Sequence, residues 1–167
     1  MAIFQSLKIG AVFVFALLAL VRAGSADDLP SLTLRLSVLP SAGQPQEAEL
    51  TREELLALPK RKVKTMTPWT QGLVEFEGVP LVELIRLSGA TPSWIRATAL
   101  NNYAVEVPFE DAGIPDVIVA YRMNGEYMSI RDKGPLWLIY PLTGLPELDT
   151  EATHSKMIWQ LKSLELH

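Results

Sequence analysis

The chain of 167 residues contains no cysteine, and this absence is the strongest constraint on its fold. No disulfide can crosslink such a chain, and no thiolate is present to bind a soft metal ion. The folded state must therefore be stabilised by packing alone. Hydrophobic residues make up 49% of the sequence and charged residues 20%, a balance that indicates a globular domain with a buried core rather than a disordered chain.

The first 26 residues predict a secretory signal peptide. Lys8 precedes an apolar run of 13 residues, 9–21, and small residues follow up to Ala26. Because a membrane span needs about 20 apolar residues, we expect cleavage after Ala26, with an uncleaved N-terminal anchor as the alternative. The predicted organisation is a signal peptide, residues 1–26, and one domain, residues 27–167, which is exported to the bacterial periplasm without a membrane span.

Signal cleavage also makes the protein more acidic. It removes Lys8 and Arg22 but no acidic residue, so the net charge changes from −4 to −6. A protein with this charge repels phosphate backbones and anionic lipid headgroups. We therefore expect no nucleic acid as a partner, and either a small molecule or a periplasmic or membrane protein instead.

Two segments predict short helices. Thr51 with Glu54 three residues later forms a capping box, and Pro59 ends the helix that they begin. Residues 81–88 place apolar side chains at helical spacing, and Gly89 follows directly after them. The second helix is therefore amphipathic, and we expect it to pack on a sheet.

Short apolar or alternating runs separated by turns predict the strands. Leucines at every second position from Leu32 to Leu36 are typical of a half-buried strand, and Asn124-Gly125 is a strong hairpin signal. Many short strands with few short helices indicate an α+β domain with a mostly mixed sheet. The predicted strands cover residues 32–38, 60–67, 73–76, 95–100, 104–107, 117–122, 136–140 and 157–166.

Five segments resemble, in the same order, segments of one known family. They are residues 76–85 (W-x-G-x-P-L-x-x-L-L in the family), 102–108 (D-G-Y … P), 119–128 (L-A-x-x-x-N/D-G-x-P-L), 134–141 (G-G-P-L-R-L-V-x-P) and 158–162 (K-W-L-K). The chain is similar to the sulfite-oxidase-like oxidoreductase molybdopterin-binding domains, as a small stand-alone member. The resemblance implies a compact mixed-sheet α+β fold of the sulfite-oxidase molybdopterin-binding type with a few short helices.

The resemblance also implies where a metal ligand would lie. In this family a cysteine a few residues before a tryptophan binds molybdenum, and the matching tryptophan here is Trp69. Thr65 then occupies the ligand position, or Met66 or Thr67 if the alignment contains a gap. None of the three supplies an anionic sulfur. We therefore expect no cofactor, although molybdopterin is the cofactor that the resemblance implies.

Seven residues lie where the resemblance places the cleft: Thr65, Trp69, Asn101, Asn102, Tyr103, Arg131 and Lys133. Trp69 is a flat wall for a planar or apolar ligand, or else a ring that covers the core. The asparagines and the tyrosine orient a polar ligand or serve in Asx turns. Arg131 and Lys133 hold a carboxylate or phosphate, or are solvated at a surface turn. No residue is predicted to be catalytic.

His154 lies near three carboxylates in the sequence, Glu147, Asp149 and Glu151. One histidine with three carboxylates has the chemistry of a divalent-metal site, but the spacing matches no rigid one. We therefore expect a surface histidine in a loop, and no metal.

Three functions are open at this point. The first, which we favour, is a non-catalytic ligand-binding, sensing or partner-binding module that uses the cleft. The second is a molybdopterin-dependent oxidoreductase that holds its cofactor without cysteine, with Thr65 facing an open metal position. The third is a structural subunit whose cleft is filled by side chains. The resemblance implies the fold, whereas activity depends on the site.

Overall fold

The computed structural model describes residues 32–39 and 44–167. The predicted signal peptide lies outside these residues, so the domain boundary at residue 26 stays a prediction. Among the described residues there are ten strands: β1 (Leu34–Val38), β2 (Gln46–Leu50), β3 (Arg61–Thr65), β4 (Val74–Pro80), β5 (Trp94–Ala99), β6 (Ala104–Pro108), β7 (Ile118–Met123), β8 (Glu126–Tyr127), β9 (Trp137–Ile139) and β10 (Leu161–Leu166).

The strands form two sheets of five strands each. In the first sheet the order is β2-β1-β10-β5-β6, and β1 runs parallel to β10 while the other neighbours are antiparallel. In the second sheet β3, β4, β7 and β8 follow in this order, β9 also pairs with β7, and all pairs are antiparallel. This architecture confirms the predicted α+β class.

Both predicted helices are present. Helix α1 (Arg52–Ala57) begins with the predicted capping box, since the Thr51 N–H donates to the Glu54 carboxylate at 2.8 Å and the Thr51 hydroxyl accepts the Glu54 N–H at 3.4 Å. Helix α2 (Leu81–Ser88) ends at Gly89, whose φ of 67° is a left-handed conformation that glycine adopts without steric cost. Local sequence signals therefore fix both helix ends.

Two polar elements were not predicted. The strand β2 has four exposed residues out of five, and it pairs with β1 along its whole length. Helix α3 (Glu151–Lys156) buries only Thr153, and the Thr150 hydroxyl accepts the Thr153 N–H at 3.2 Å to cap it. Neither element has an apolar periodicity, so partners elsewhere in the chain must hold both in place.

The final strand is shorter than the predicted segment of residues 157–166. Residues 157–159 contact β9 instead: the Trp137 indole N–H donates to the Met157 carbonyl at 2.9 Å, the Leu138 N–H donates to the Ile158 carbonyl at 2.9 Å, and Trp159 forms an antiparallel bridge with Trp137. Gln160 then has a φ of 52°, which interrupts the extended backbone before β10 begins. The chain therefore passes from the second sheet to the first at this point.

One hydrophobic cluster joins the two sheets. It includes Leu34 and Leu164 of the first sheet and Phe76 and Ile118 of the second, all fully buried. The buried Trp137 of β9 belongs to the same cluster, directly beneath the candidate site described below. Among the described residues, no helix is long and apolar enough to cross a membrane.

Candidate functional site

Trp69 lies in a tight turn that follows β3. The Thr67 hydroxyl accepts the Trp69 N–H at 3.2 Å, and the Thr70 N–H donates to the Thr67 carbonyl at 3.2 Å. The Trp69 ring stands at 75° to Trp159 with centroids 5.2 Å apart, and its centroid is 6.1 Å from that of Trp137. Trp69 is 36% exposed, so it both covers part of the core and presents surface to a cleft.

A cavity of about 280 Å³ opens beside Trp69, and we call it the aromatic cavity. No lysine, arginine or carboxylate lines it. Its one imidazole, that of His154, has its Nε2 2.6 Å from the Asp149 Oδ1. Aromatic rings and apolar side chains therefore form most of the cavity wall. The lining residues are Trp69, Ala99, Asn101, Tyr103, His154, Ser155, Met157, Ile158 and Trp159.

Few polar groups face a ligand in the aromatic cavity. The Asn101 side-chain oxygen accepts the Tyr103 N–H at 3.0 Å, which is the predicted Asx turn. The Ser155 hydroxyl donates to the Ala152 carbonyl at 2.8 Å. Asn102 instead accepts from the Lys162 ammonium at 2.6 Å and is not a lining residue. The structure thus brings Asn101 and Tyr103 to Trp69 and separates Asn102 from them.

A second cavity of about 310 Å³ shares Trp69 as a wall. We call it the cationic cavity, because the predicted residues Arg131 and Lys133 both line it. Its other lining residues are Thr70, Gln71, Val74, Met123, Asn124, Asp132 and Trp137. Trp69 therefore stands between an aromatic space without lysine, arginine or carboxylate and a space lined by charged side chains.

The turn that carries the two cations is held by Ser129. Its hydroxyl donates to the Asp132 carboxylate at 2.7 Å and accepts the Asp132 N–H at 3.2 Å. Within residues 32–39 and 44–167, no carboxylate oxygen lies within 4.0 Å of a side-chain nitrogen of Arg131 or Lys133. The Lys133 ammonium is 5.7 Å from the Trp137 ring centroid and 5.9 Å from that of Trp159. Its neighbours are aromatic rings rather than acids.

Comparison with known protein families matches residues 32–144 to the oxidoreductase molybdopterin-binding domain. The chain belongs to this family. The match confirms the inferred family resemblance, and four of the five sequence segments lie within it, whereas the segment at residues 158–162 lies beyond it. In this molybdopterin-binding domain the matched region supplies Trp69, Arg131 and Lys133, whereas Trp159 lies beyond it. No curated protein matches the chain.

The residues at the position where the resemblance places the metal ligand do not fit a molybdenum ion. Thr65 is fully buried, and its hydroxyl accepts the Thr143 N–H at 3.1 Å, while the Met66 N–H donates to the Thr143 hydroxyl at 2.9 Å. The Thr67 hydroxyl lies 3.0 Å from that of Thr70. A protonated hydroxyl or a thioether does not replace an anionic sulfur on molybdenum. Thr65 instead ties the end of β3 to the turn after β9, and it lines neither the aromatic nor the cationic cavity.

The prediction that His154 lies in a loop is wrong, because His154 belongs to helix α3. Its ring lies 6.1 Å from that of Trp69, nearly perpendicular to it. Among the described residues, no three histidine or carboxylate side chains approach closely enough to hold a metal ion. His154 is therefore a wall of the aromatic cavity, held by Asp149.

A partly buried ion pair fixes the helix that carries this wall. The Asp111 carboxylate accepts the Tyr140 hydroxyl at 2.7 Å and forms an ion pair with Lys156 at the end of α3. Burial, with the nearby Asp111 carboxylate, raises the pKa of the Tyr140 hydroxyl well above its usual range. Sequence reasoning missed this cluster and Trp159, because no motif links residues so far apart in the chain.

Proposed function

We propose that this family domain is a non-catalytic binding module that takes a small molecule in the aromatic cavity. One observation carries the proposal: Trp69 and Trp159 are 36% and 37% exposed where they line an open cavity. Aromatic rings are stabilised by burial, and a ligand that covers both rings completes it. A volume of about 280 Å³ is near the lower limit for small-molecule pockets, which is about 300 Å³.

The open cavity also favours binding over a purely structural role. A structural subunit needs its cleft filled by side chains, as in a packed core. Here Tyr103 lines the aromatic cavity while 56% exposed. This exposure supports a space that a ligand enters and leaves.

A molybdopterin-dependent oxidoreductase with cysteine-free cofactor binding is the alternative function, and the family match favours it. Without a thiolate, this chain's polar side chains would have to hold the pterin by hydrogen bonds alone. The Thr65 hydroxyl, already bonded to Thr143, argues against an open metal position there. The balance of these contacts supports the binding module.

The place of action is part of the same proposal. Residues 27–167 act after export to the bacterial periplasm, and the apolar run at residues 9–21 supports this location. The ligand is a small molecule, and a periplasmic or membrane protein is the partner that reads its binding. N-terminal sequencing of the secreted protein tests the boundary: a first residue of Asp27 agrees with it, and a start at Met1 contradicts it.

Cofactor content separates the two functions. The protein is purified from its native periplasm, molybdenum is measured by mass spectrometry and pterin by fluorescence on the same sample. We expect neither in stoichiometric amount. Near-stoichiometric molybdenum and pterin would overturn the binding-module proposal in favour of the oxidoreductase.

A second measurement tests the cavity itself. Small molecules released by denaturation are compared by mass spectrometry between the wild type, Trp159→Leu and Trp94→Leu. Trp94 is a matched control because it stacks on His167 and lines neither cavity. A compound that co-purifies with the wild type and Trp94→Leu but not with Trp159→Leu supports the proposal. Equal release from all three proteins, or none from any, contradicts it.

A further inference from the structure

The two cavities share one ring as a wall, which constrains the shape of a ligand that contacts both. Trp69 lines both of them. The Lys133 ammonium of the cationic cavity lies 5.9 Å from the ring centroid of Trp159, which lines the aromatic cavity. The Lys133 ammonium therefore lies close to an aromatic ring that lines the aromatic cavity.

The charge balance on the cationic side is incomplete. Lys62, Lys64 and Lys156 each lie within 4.0 Å of a carboxylate, but no described carboxylate approaches Arg131 or Lys133 so closely. The one acid in the lining, Asp132, is bonded to Ser129. In a chain of net charge −4, a cavity lined by two cations and one carboxylate carries a net positive charge, which favours an anionic ligand group.

The aromatic cavity favours an apolar ligand group. Four of its nine lining residues have polar side chains, Asn101, Tyr103, His154 and Ser155, and Asn101, His154 and Ser155 each already make a local hydrogen bond. A heterocycle rich in donors and acceptors would leave several of its own polar groups unpaired there, which costs binding free energy. An apolar ring has no polar groups of its own to leave unpaired there.

We propose that the ligand is a small aromatic carboxylate. Its ring lies against Trp159 and Trp69 in the aromatic cavity, and its carboxylate is bound by Lys133 and Arg131. This inference rests on the proposed function and names the chemical class of its ligand. Arg131 supplies a planar fork that matches a carboxylate, and Lys133 adds a point charge beside the ring.

Three probes distinguish the contribution of the ligand's aromatic ring to affinity from that of its negative charge. Binding of 2-naphthoate, its neutral analogue 2-naphthalenemethanol and inorganic phosphate is measured by calorimetry and by tryptophan fluorescence. We expect wild-type protein to bind naphthoate at least about tenfold more tightly than the neutral alcohol, since hydrogen bonds to charged groups are stronger than those between neutral groups. Equal affinity for the acid and the alcohol would overturn the anionic part, and phosphate binding as tight as naphthoate would overturn the aromatic part.

Substitutions test the cationic and the aromatic parts of the site separately. Arg131→Gln with Lys133→Gln should remove the preference for naphthoate and leave the affinity for the alcohol unchanged, whereas Trp159→Leu should weaken both by about tenfold or more. Lys64→Gln and Trp94→Leu are the matched controls, because neither residue lines the two cavities. Circular dichroism checks that each variant is folded.

The outcomes also separate this inference from the proposed function. If the paired glutamine substitutions leave the naphthoate preference intact, the carboxylate assignment is wrong. If the wild type binds no naphthoate but a native compound is still released in a Trp159-dependent way, the ligand class is wrong and the binding module stands. If molybdenum and pterin are present, both proposals fail together.

Discussion

Whether a polar side chain is available to a ligand depends on which neighbour has already taken its hydrogen bonds. Thr65 bonds to Thr143, and Asn102 accepts from Lys162. Arg131 lines the cationic cavity together with Trp69, and no carboxylate oxygen of the described residues lies within 4.0 Å of its side-chain nitrogens. The site is therefore defined by unsatisfied groups and not by polarity alone.

Tyr121 makes stability sensitive to alkaline pH. Its hydroxyl donates to the Glu77 carboxylate at 3.2 Å. Burial is the main cause that raises the pKa of Tyr121 from 10.0 to about 12, and the negative charge of Glu77 is the second. Since the pKa is higher in the folded state, the phenol's contribution is complete below pH 10 and is lost as the pH rises to about 12. We expect Tyr121→Phe to be less stable at neutral pH by about 1 kcal/mol, and to lose less stability than the wild type across that window.

Chemical denaturation at each pH measures this effect. Tyr103→Phe is the control, because it removes the hydroxyl of an exposed tyrosine and should keep the wild-type slope. A Tyr121→Phe profile parallel to that of the wild type between pH 10 and 12 would show that Tyr121 does not cause the loss.

Gly134 allows the turn that holds the two cations to close. A Cβ at Gly134 would overlap the Met128 carbonyl oxygen, whereas a Cβ at Gly113 meets no atom within 4 Å. We expect Gly134→Ala to destabilise the protein by about 1–3 kcal/mol and to weaken naphthoate binding, and Gly113→Ala to stay within about 0.5 kcal/mol of the wild type. Thermal unfolding with calorimetry checks both, and wild-type behaviour of Gly134→Ala would contradict the argument.

At the scale of elements, α3 is held by its ends rather than by an apolar face. Thr150 caps its start, and Lys156 pairs with Asp111 at its end. The helix carries His154 and Ser155, two walls of the aromatic cavity. The shape of the cavity thus depends on an ion pair that lies outside it.

Breaking that pair should loosen α3. Lys156→Met leaves the mostly buried Asp111 carboxylate with Tyr140 as its donor, and we expect a loss of about 2–3 kcal/mol, below the cost of a fully buried pair because both side chains keep some exposure. The double variant Asp111→Asn/Lys156→Met should recover part of this loss. Hydrogen exchange at residues 151–156 is the measurement, and unchanged protection in Lys156→Met would rule out the ion pair as the support of α3.

At the scale of the whole molecule, a single hydrophobic cluster contains buried residues of both sheets. Strands that share one core unfold together. We expect circular dichroism and tryptophan fluorescence to report one coincident thermal transition, and a reductant to leave its midpoint unchanged because the chain has no cysteine. Two separated transitions would show that the sheets form independent units.

The sequence by itself determined the α+β class, the ends of α1 and α2 and the hairpin at Asn124-Gly125. Each depends on neighbouring residues: the spacing of apolar positions, the capping box at Thr51 and the turn chemistry of glycine. The order of the four segments between residues 76 and 141 indicated the family that the match confirms. The candidate site was predicted in part, since Trp69 and Arg131 lie on turns whose residues are recognisable locally.

Only the tertiary structure decided how these residues combine. Trp159 reaches Trp69 because residues 157–159 pair with β9 before β10 begins. His154 reaches Trp69 because Lys156 and Asp111 hold α3 in place. Thr65 bonds to Thr143, which is also distant in the chain, and it lines neither cavity. These partners are distant in the chain, and contacts between distant segments leave no periodic or local signal in a single sequence.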